Sequence, residues 1–388
     1  MAQAMSTALG DIHSENETMS RMNSTRLDNS QIPGYDPAFA TIINVEKFCT
    51  PLICVCGLIG NTLSTITFLR NPLRRAPCSL YLASRGISDN GFLLSLLMTW
   101  VSSTFDLRLS QVKGVCQCII FMTYLCGCVS VWLCVFITFE NFLLIQTPFI
   151  ARRVCCNNVS KTCITILVVT AIVIYNTSLW IINEDCTHNP SYSSLTQVLV
   201  YSDTLLTLVI PTVIIFVLLS VIAYKLIRIY HIRRLHANMI AKLTDRQNNK
   251  PPIIPLAKVT RMLFVVSFTF FILNVPSHVI RLSLLIGSFT KGNTTAPFVQ
   301  ATIQTTFQLI YYLSFSVNLG VYAAFGSNFR KVFKETFCSS YLQARPVYVP
   351  TEAVNLVRHR SHSMNNDEPN DVTSLMIDKN GIRPFYNR

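Results

Sequence analysis

The chain is 388 residues long and 51% apolar, with only 13% of its residues charged, where soluble domains carry about a quarter of theirs as Asp, Glu, Lys or Arg. Long stretches therefore hold no charge at all. This argues against a soluble globular protein and for helices that cross a bilayer, since about 20 apolar residues rising 1.5 Å each span the hydrocarbon core. The net charge of +13 comes from 32 basic and 19 acidic residues. The basic residues sit in short segments between apolar runs, which fits a membrane surface and speaks against nucleic acid as a partner.

Residues 1–44 are polar, carry sequons at Asn16 and Asn23, and lack the apolar core of a cleaved signal peptide. They read as a glycosylated extracellular tail exported by the first membrane helix. Seven apolar runs follow, near 48–69, 78–104, 114–144, 162–183, 200–226, 259–286 and 301–325. The predicted fold is an all-α membrane protein, a seven-transmembrane helix bundle over residues 45–326. Residues 327–338 place Phe329, Val332, Phe333 and Phe337 at helical spacing, with Arg330, Lys331 and Lys334 between them. That pattern predicts an amphipathic interfacial helix. Residues 339–388 are polar and read as a disordered cytosolic tail.

Orientation follows from Lys and Arg in the connections. The first has Arg70, Arg74 and Arg75, the third has Arg152, Arg153 and Lys161, and the fifth has nine basic residues from Lys225 to Arg261 against one acidic, Asp245. The alternate connections hold only Arg108, Lys113 and Lys291. This puts the N-terminus outside a multi-pass plasma-membrane protein. A further sequon at Asn293 falls outside as well, while Asn158 matches the pattern on the inside. Of the fourteen cysteines, Cys54, Cys56, Cys126, Cys128, Cys134 and Cys163 lie within apolar runs, where a thiol acts as a small hydrophobe. Cys155-Cys156 has no CxxC partner, so a zinc site is disfavoured.

Several motifs occur in a fixed order. The first run has Gly60-Asn61; the second has Ser79-Leu80-Tyr81-Leu82-Ala83 and Ile87-Ser88-Asp89. The third opens at Cys116 and ends Phe139-Glu140-Asn141, with Pro148-Phe149 seven residues on. Pro211 lies in the fifth, Phe270 and Pro276 in the sixth, and Asn318-Leu319-Gly320-Val321-Tyr322 in the seventh. Together, over residues 45–338, they resemble the rhodopsin-like (class A) G protein-coupled receptors. The departures are specific. The family's Asp-Arg-Tyr reads Glu140-Asn141-Phe142, the sixth-helix tryptophan is Asn274, Leu319 stands for proline, and Trp180 lies near the outer end of the fourth run.

The resemblance implies a disulfide from Cys116 to Cys186, with Cys118 as a competing partner for the latter. It implies a sodium ion near Asp89, with Ser130, Ser314 and Asn318 at matching oxygen-bearing positions and Asn61 in the same polar core. A neutral, hydrogen-bonded Asp89 is the alternative. Arg85, one turn before Asp89, has two readings: it snorkels to the cytosolic surface, or it turns inward as a counter-ion.

For the ligand, Thr123 occupies the place where amine receptors carry an aspartate, and no lysine interrupts the seventh run as retinal attachment requires. Tyr124, Asp203, His278, Arg281, Gln304, Gln308 and Tyr312 are expected around the outer half. Arg281 suits a carboxylate or amide carbonyl and Asp203 a cation; alternatively the two pair with each other. The run Leu273–Arg281 is similar to the Asn-Leu-Pro-Ser-His form of invertebrate FMRFamide-like and myosuppressin-type receptors, which implies a short amidated peptide.

Inside, Glu140, Asn141, Pro148, Phe149, Phe270, Asn274, Pro276 and Tyr322 are the expected G protein contact and switch positions. Cys338 is a candidate palmitoylation site. Arg358–Ser363 resembles a kinase site, which would also recruit arrestin, and the basic segments meet membrane lipid. Two other readings stay open: a chemosensory or orphan receptor of the same class, and a transporter, although no internal repeat relates the halves. No nucleophile–base pair or metal cluster points to an enzyme.

Overall fold

The computed structural model describes residues 37–105, 107, 112, 114–183, 190–243, 255–289, 297–338, 377–378 and 381–382. The sequons at Asn16, Asn23 and Asn293, together with Cys186, lie outside them. Among the described residues, seven long helical paths form the bundle: α1 (Pro37–Leu69), α2 (Pro77–Thr104), α3 (Val115–Gln146), α4 (Asn157–Tyr175, with a further turn Ser178–Ile181), α5, α6 (Pro255–Phe289) and α7 (Pro297–Ser316, resuming as Asn318–Phe325). The α5 path has three segments: Ser193–Asp203, a π-helical Thr204–Val209, and Ile210–Leu243. A short helix, Pro148–Val154, links α3 to α4, and α8 (Ser327–Phe337) follows α7.

The helices overrun the apolar runs. α1 begins at Pro37, inside the segment expected as tail, because proline is well placed in a first helical turn and the polar Asn44, Glu46 and Lys47 interrupt hydropathy without interrupting helix. α5 and α6 likewise extend beyond the apolar core. Arg, Lys, Leu and Ile form helix readily in water as in lipid, so hydropathy marks the membrane and not the helix end.

Among the described residues, five helices, α1, α3, α4, α5 and α6, are apolar enough by length and composition to cross a membrane. α2 and α7 are more polar: α2 carries Arg85, Asp89 and Asn90, and α7 carries Gln300, Gln304 and Gln308. Arg85 and Asp89 face the interior and are buried. α3 is the hub. Within its most apolar stretch 67% is buried, against 22% for α4, which lies at the periphery with its aliphatic side chains turned outward. Small residues let the helices close up: a Cβ on Gly57 of α1 would stand 2.8 Å from the Ser316 Cβ of α7.

Proline chemistry shapes α5. Pro211 has no N–H to give to a carbonyl one turn back, and the wider π turn precedes it. Trp132 Nε1 of α3 donates to Leu206 O there at 3.0 Å. α8 buries Phe329 and Val332 and turns Lys331 and Lys334 outward. Arg330 Nη1 donates to the carbonyls of Ala323 (2.9 Å) and Ala324 (2.8 Å), which caps the end of α7.

The chain divides into two units, Met1–Thr336 and Phe337–Arg388. In the second, Ile377–Asp378 and Gly381–Ile382 pair as antiparallel strands β1 and β2.

Candidate ligand cavity and polar core

The centre of the bundle is built around Asp89. Its Oδ1 accepts from Ser130 Oγ of α3, and its Oδ2 accepts from Asn318 Nδ2 of α7 at 2.7 Å. Arg85 Nε lies 3.7 Å from the same Oδ2. With a helical repeat of 3.6, residues four apart share a face, so α2 itself brings the two charges together. The guanidinium carbon also sits 4.9 Å from the centroid of the Phe270 ring on α6. Arg85 is 1% exposed. Of its two sequence readings, the inward one holds: a side chain packed between a carboxylate and an aromatic face reaches no surface.

Asn61 Nδ2 donates to Phe315 O at 2.8 Å, which ties α1 to α7. Ser314 does not join the cluster at Asp89. Its hydroxyl donates to Tyr311 O (2.7 Å), with Asn274 Oδ1 at 3.3 Å. Asn274 Nδ2 donates to Phe270 O at 2.6 Å. The asparagine thus links α6 to α7 by accepting from Ser314, where an indole would fill space by packing.

Toward the Cys116 end lies a small cavity of about 20 Å³, lined by Thr123, Tyr124, Asp203, His278, Arg281 and Tyr311, among others. Four of the expected ligand-contact residues and Thr123 therefore converge on it. Gln304, Gln308 and Tyr312 are not among its lining residues: on α7 Gln308 Nε2 donates to Tyr312 Oη, and Gln304 is half-buried one turn earlier. Thr123 Oγ1 is turned back to Ile119 O at 2.8 Å, so it offers the cavity a methyl group.

Asp203 is committed. Tyr175 of α4 donates to its Oδ1 at 2.8 Å, and Thr207 Oγ1 lies 3.4 Å from the same atom. No ion pair within 4.0 Å joins it to Arg281 among the described residues. Arg281 instead lays its guanidinium over the Tyr311 ring, 5.4 Å from the centroid. Its Nη2 and both ring nitrogens of His278 are buried without a hydrogen-bond partner among the described residues.

Tyr175 and Tyr311 were not among the residues expected at this site. Tyr175 stacks on Tyr124 at 5.4 Å and an interplanar angle of 11°. The signal was present: a tyrosine inside an apolar run needs a partner for its hydroxyl, and Asp203 is the anion available.

The model of the rhodopsin family of 7 transmembrane receptors matches residues 60–322. The chain belongs to this family.

Among individual relatives, the receptor is 26% identical to the rhodopsin of Cambarus maculatus over 115 residues, 30% of this chain and 37% of that protein. It is 28% identical to the thyrotropin-releasing hormone receptor of Homo sapiens over 144 residues, 36% of this chain and 34% of that one. The matches therefore span about a third of each relative's length.

At the Cys116 end, Cys116 is disulfide-bonded and Cys118 is a free thiol. Gln117 Nε2 donates to Ile182 O at 2.7 Å, holding the start of α3 to the chain after α4. At the opposite end, Glu140 and Asn141 are buried, and neither polar side-chain atom of Asn141 has a hydrogen-bond partner among the described residues. Glu140 lies beside Cys155 and Cys78, and its Oε2 has no hydrogen-bond partner among the described residues. Pro148 opens the short helix that presents Phe149, which is 86% exposed. Tyr322 is buried edge-on against Phe68, 4.9 Å between centroids. Pro276 lies within α6, and Cys338 is an exposed free thiol. A cavity of about 350 Å³ lies at this end, bounded by Phe68, Pro72, Met262, Phe329 and Lys331 among others.

Proposed function

We propose that this receptor is activated by a short extracellular peptide and signals to a heterotrimeric G protein from the plasma membrane, with its N-terminus outside. The observation that carries the reading is the cavity at the Cys116 end, with buried His278 nitrogens and Arg281 Nη2 left without partners. Buried polar groups without partners cost free energy, and a ligand that supplies the missing partner recovers it. A peptide terminus offers carbonyl and carboxamide or carboxylate oxygens of the right kind. Asp203, held by Tyr175, supports the cavity wall and is a poorer candidate for direct contact.

The cavity has room for about one water molecule, so a peptide group enters only as α3, α5 and α6 part. Binding that prefers the parted arrangement shifts the receptor toward it, as activation requires. Likeness to a thyrotropin-releasing hormone receptor supports a hormone as ligand. The rhodopsin likeness does not extend to retinal attachment, since no lysine lies between Pro297 and Phe325.

Phe149 suits an apolar pocket on a G protein. Cys338 suits palmitoylation, and the tail beyond it suits kinase and arrestin. Cys116 is bonded and the twelve other described cysteines are free thiols, which supports Cys186 as its partner across the outer face.

The test is a panel of amidated neuropeptides applied to cells expressing the receptor, read by calcium and cyclic AMP. A concentration-dependent response absent from untransfected cells is expected. Silence across the panel, with responses to volatile or other small molecules, would favour a chemosensory receptor.

A further inference from the structure

Family resemblance implies a sodium ion at Asp89, and the side chains around that carboxylate do not fit one. A hard cation is held by several converging oxygens. Both Asp89 oxygens are already engaged, Oδ1 by Ser130 and Oδ2 by Asn318 and Arg85. Asn318 turns its amide nitrogen, a donor, toward the site. Ser314 spends its hydroxyl on Tyr311 O and Asn274. A guanidinium does not lose its proton in proteins, so a positive charge already resides there.

We propose that Arg85 is this receptor's built-in cation: its guanidinium fills the place of a metal ion at Asp89 and, across Phe270, ties α2 to α6. The charge is held by the carboxylate at 3.7 Å and by the ring face at 4.9 Å. Nε and Nη1 have no hydrogen-bond acceptor among the described residues, so the carboxylate and the ring hold these nitrogens by charge and not by hydrogen bonds. Phe270 also gives its carbonyl to Asn274, whose Oδ1 faces Ser314. One turn of α6 therefore touches both the ion pair on α2 and the polar face of α7. A second cation beside the guanidinium meets like-charge repulsion in a low-dielectric interior. Sodium is excluded while Arg85 is present and admitted when it is removed.

The experiment needs no agonist, so its outcome is independent of the ligand reading. Full-length receptor is purified and unfolded thermally in sodium chloride and in N-methylglucamine chloride at equal ionic strength. Wild type, Arg85→Leu and Arg85→Gln are compared. Wild type should unfold at the same temperature in both salts. In the two variants sodium should raise the midpoint by several degrees, as a ligand bound by the folded state does. If Arg85→Leu fails to fold, Arg85→Gln keeps a polar neighbour for Asp89 and serves alone. A sodium shift in wild type overturns the proposal, and so does the lack of one in every variant that folds.

Discussion

Arg85 and Asp89, one turn apart on α2, form an ion pair at 3.7 Å with both side chains buried. Such a pair stabilises little relative to an apolar pair of the same shape, but removing one partner strands the other charge at a cost of about 3–5 kcal/mol. Asp89→Asn should therefore destabilise the receptor by that order, and the double variant Arg85→Leu/Asp89→Asn should recover most of the loss. Thermal unfolding of the purified proteins checks this. An Asp89→Asn variant as stable as wild type would mean that the guanidinium finds its compensation elsewhere.

Tyr175 should matter more than its distance from the polar core suggests. Its hydroxyl donates to the buried Asp203 at 2.8 Å while its ring stacks on Tyr124. Tyr175→Phe keeps the stacking and loses the hydrogen bond, which for a charged acceptor contributes about 1.5–3 kcal/mol. The unfolding midpoint should fall, and Asp203→Ala should lower surface expression as well. Unchanged midpoints in both would show that Asp203 is free for a ligand.

The seven helices and their order were legible because lipid enforces long apolar runs, and the motif residues fell where those runs placed them. Helix ends were not, since the polar Asn44, Glu46 and Lys47 break the apolar pattern inside α1 without breaking the helix, and the basic end of α5 is helical without being apolar. The direction of Arg85 was open because its position on α2 alone allows a long side chain to run toward a membrane surface or toward Asp89; the Phe270 face that decides it comes from α6, nearly two hundred positions away. The partner of Asp203 was missed for a similar reason. Arg281 offers the opposite charge, but Tyr175 on α4 reaches the carboxylate, and Arg281 settles on the Tyr311 ring. Pairings between distant helices leave no local pattern.

Cys155, in the connection between α3 and α4, should be a slow nucleophile. Burial first, then the Glu140 carboxylate beside it, pushes its thiol up to about 11. An ordinary cysteine, near 8.5, ionises across pH 7.5–9.5 and its alkylation then levels off. The rate at Cys155 should instead keep rising about tenfold per pH unit through pH 10, because the thiolate stays scarce until its own pKa is reached. Glu140→Gln removes a raising influence and should speed labelling at neutral pH. Site-resolved mass spectrometry of alkylated receptor measures both, and a plateau below pH 9 would contradict the assigned surroundings.

The central claim is that a peptide group docks against the unpartnered donors at the Cys116 end, and Arg281 tests it most directly. Take an activating peptide and measure its potency on wild type and Arg281→Ala at matched surface expression. Losing a desolvated charged contact commonly costs about 2–5 kcal/mol of binding, so potency should fall by more than tenfold while the maximal response of the G protein is retained. Equal potency on the two receptors would contradict the account, and would place the peptide's contacts away from this cavity.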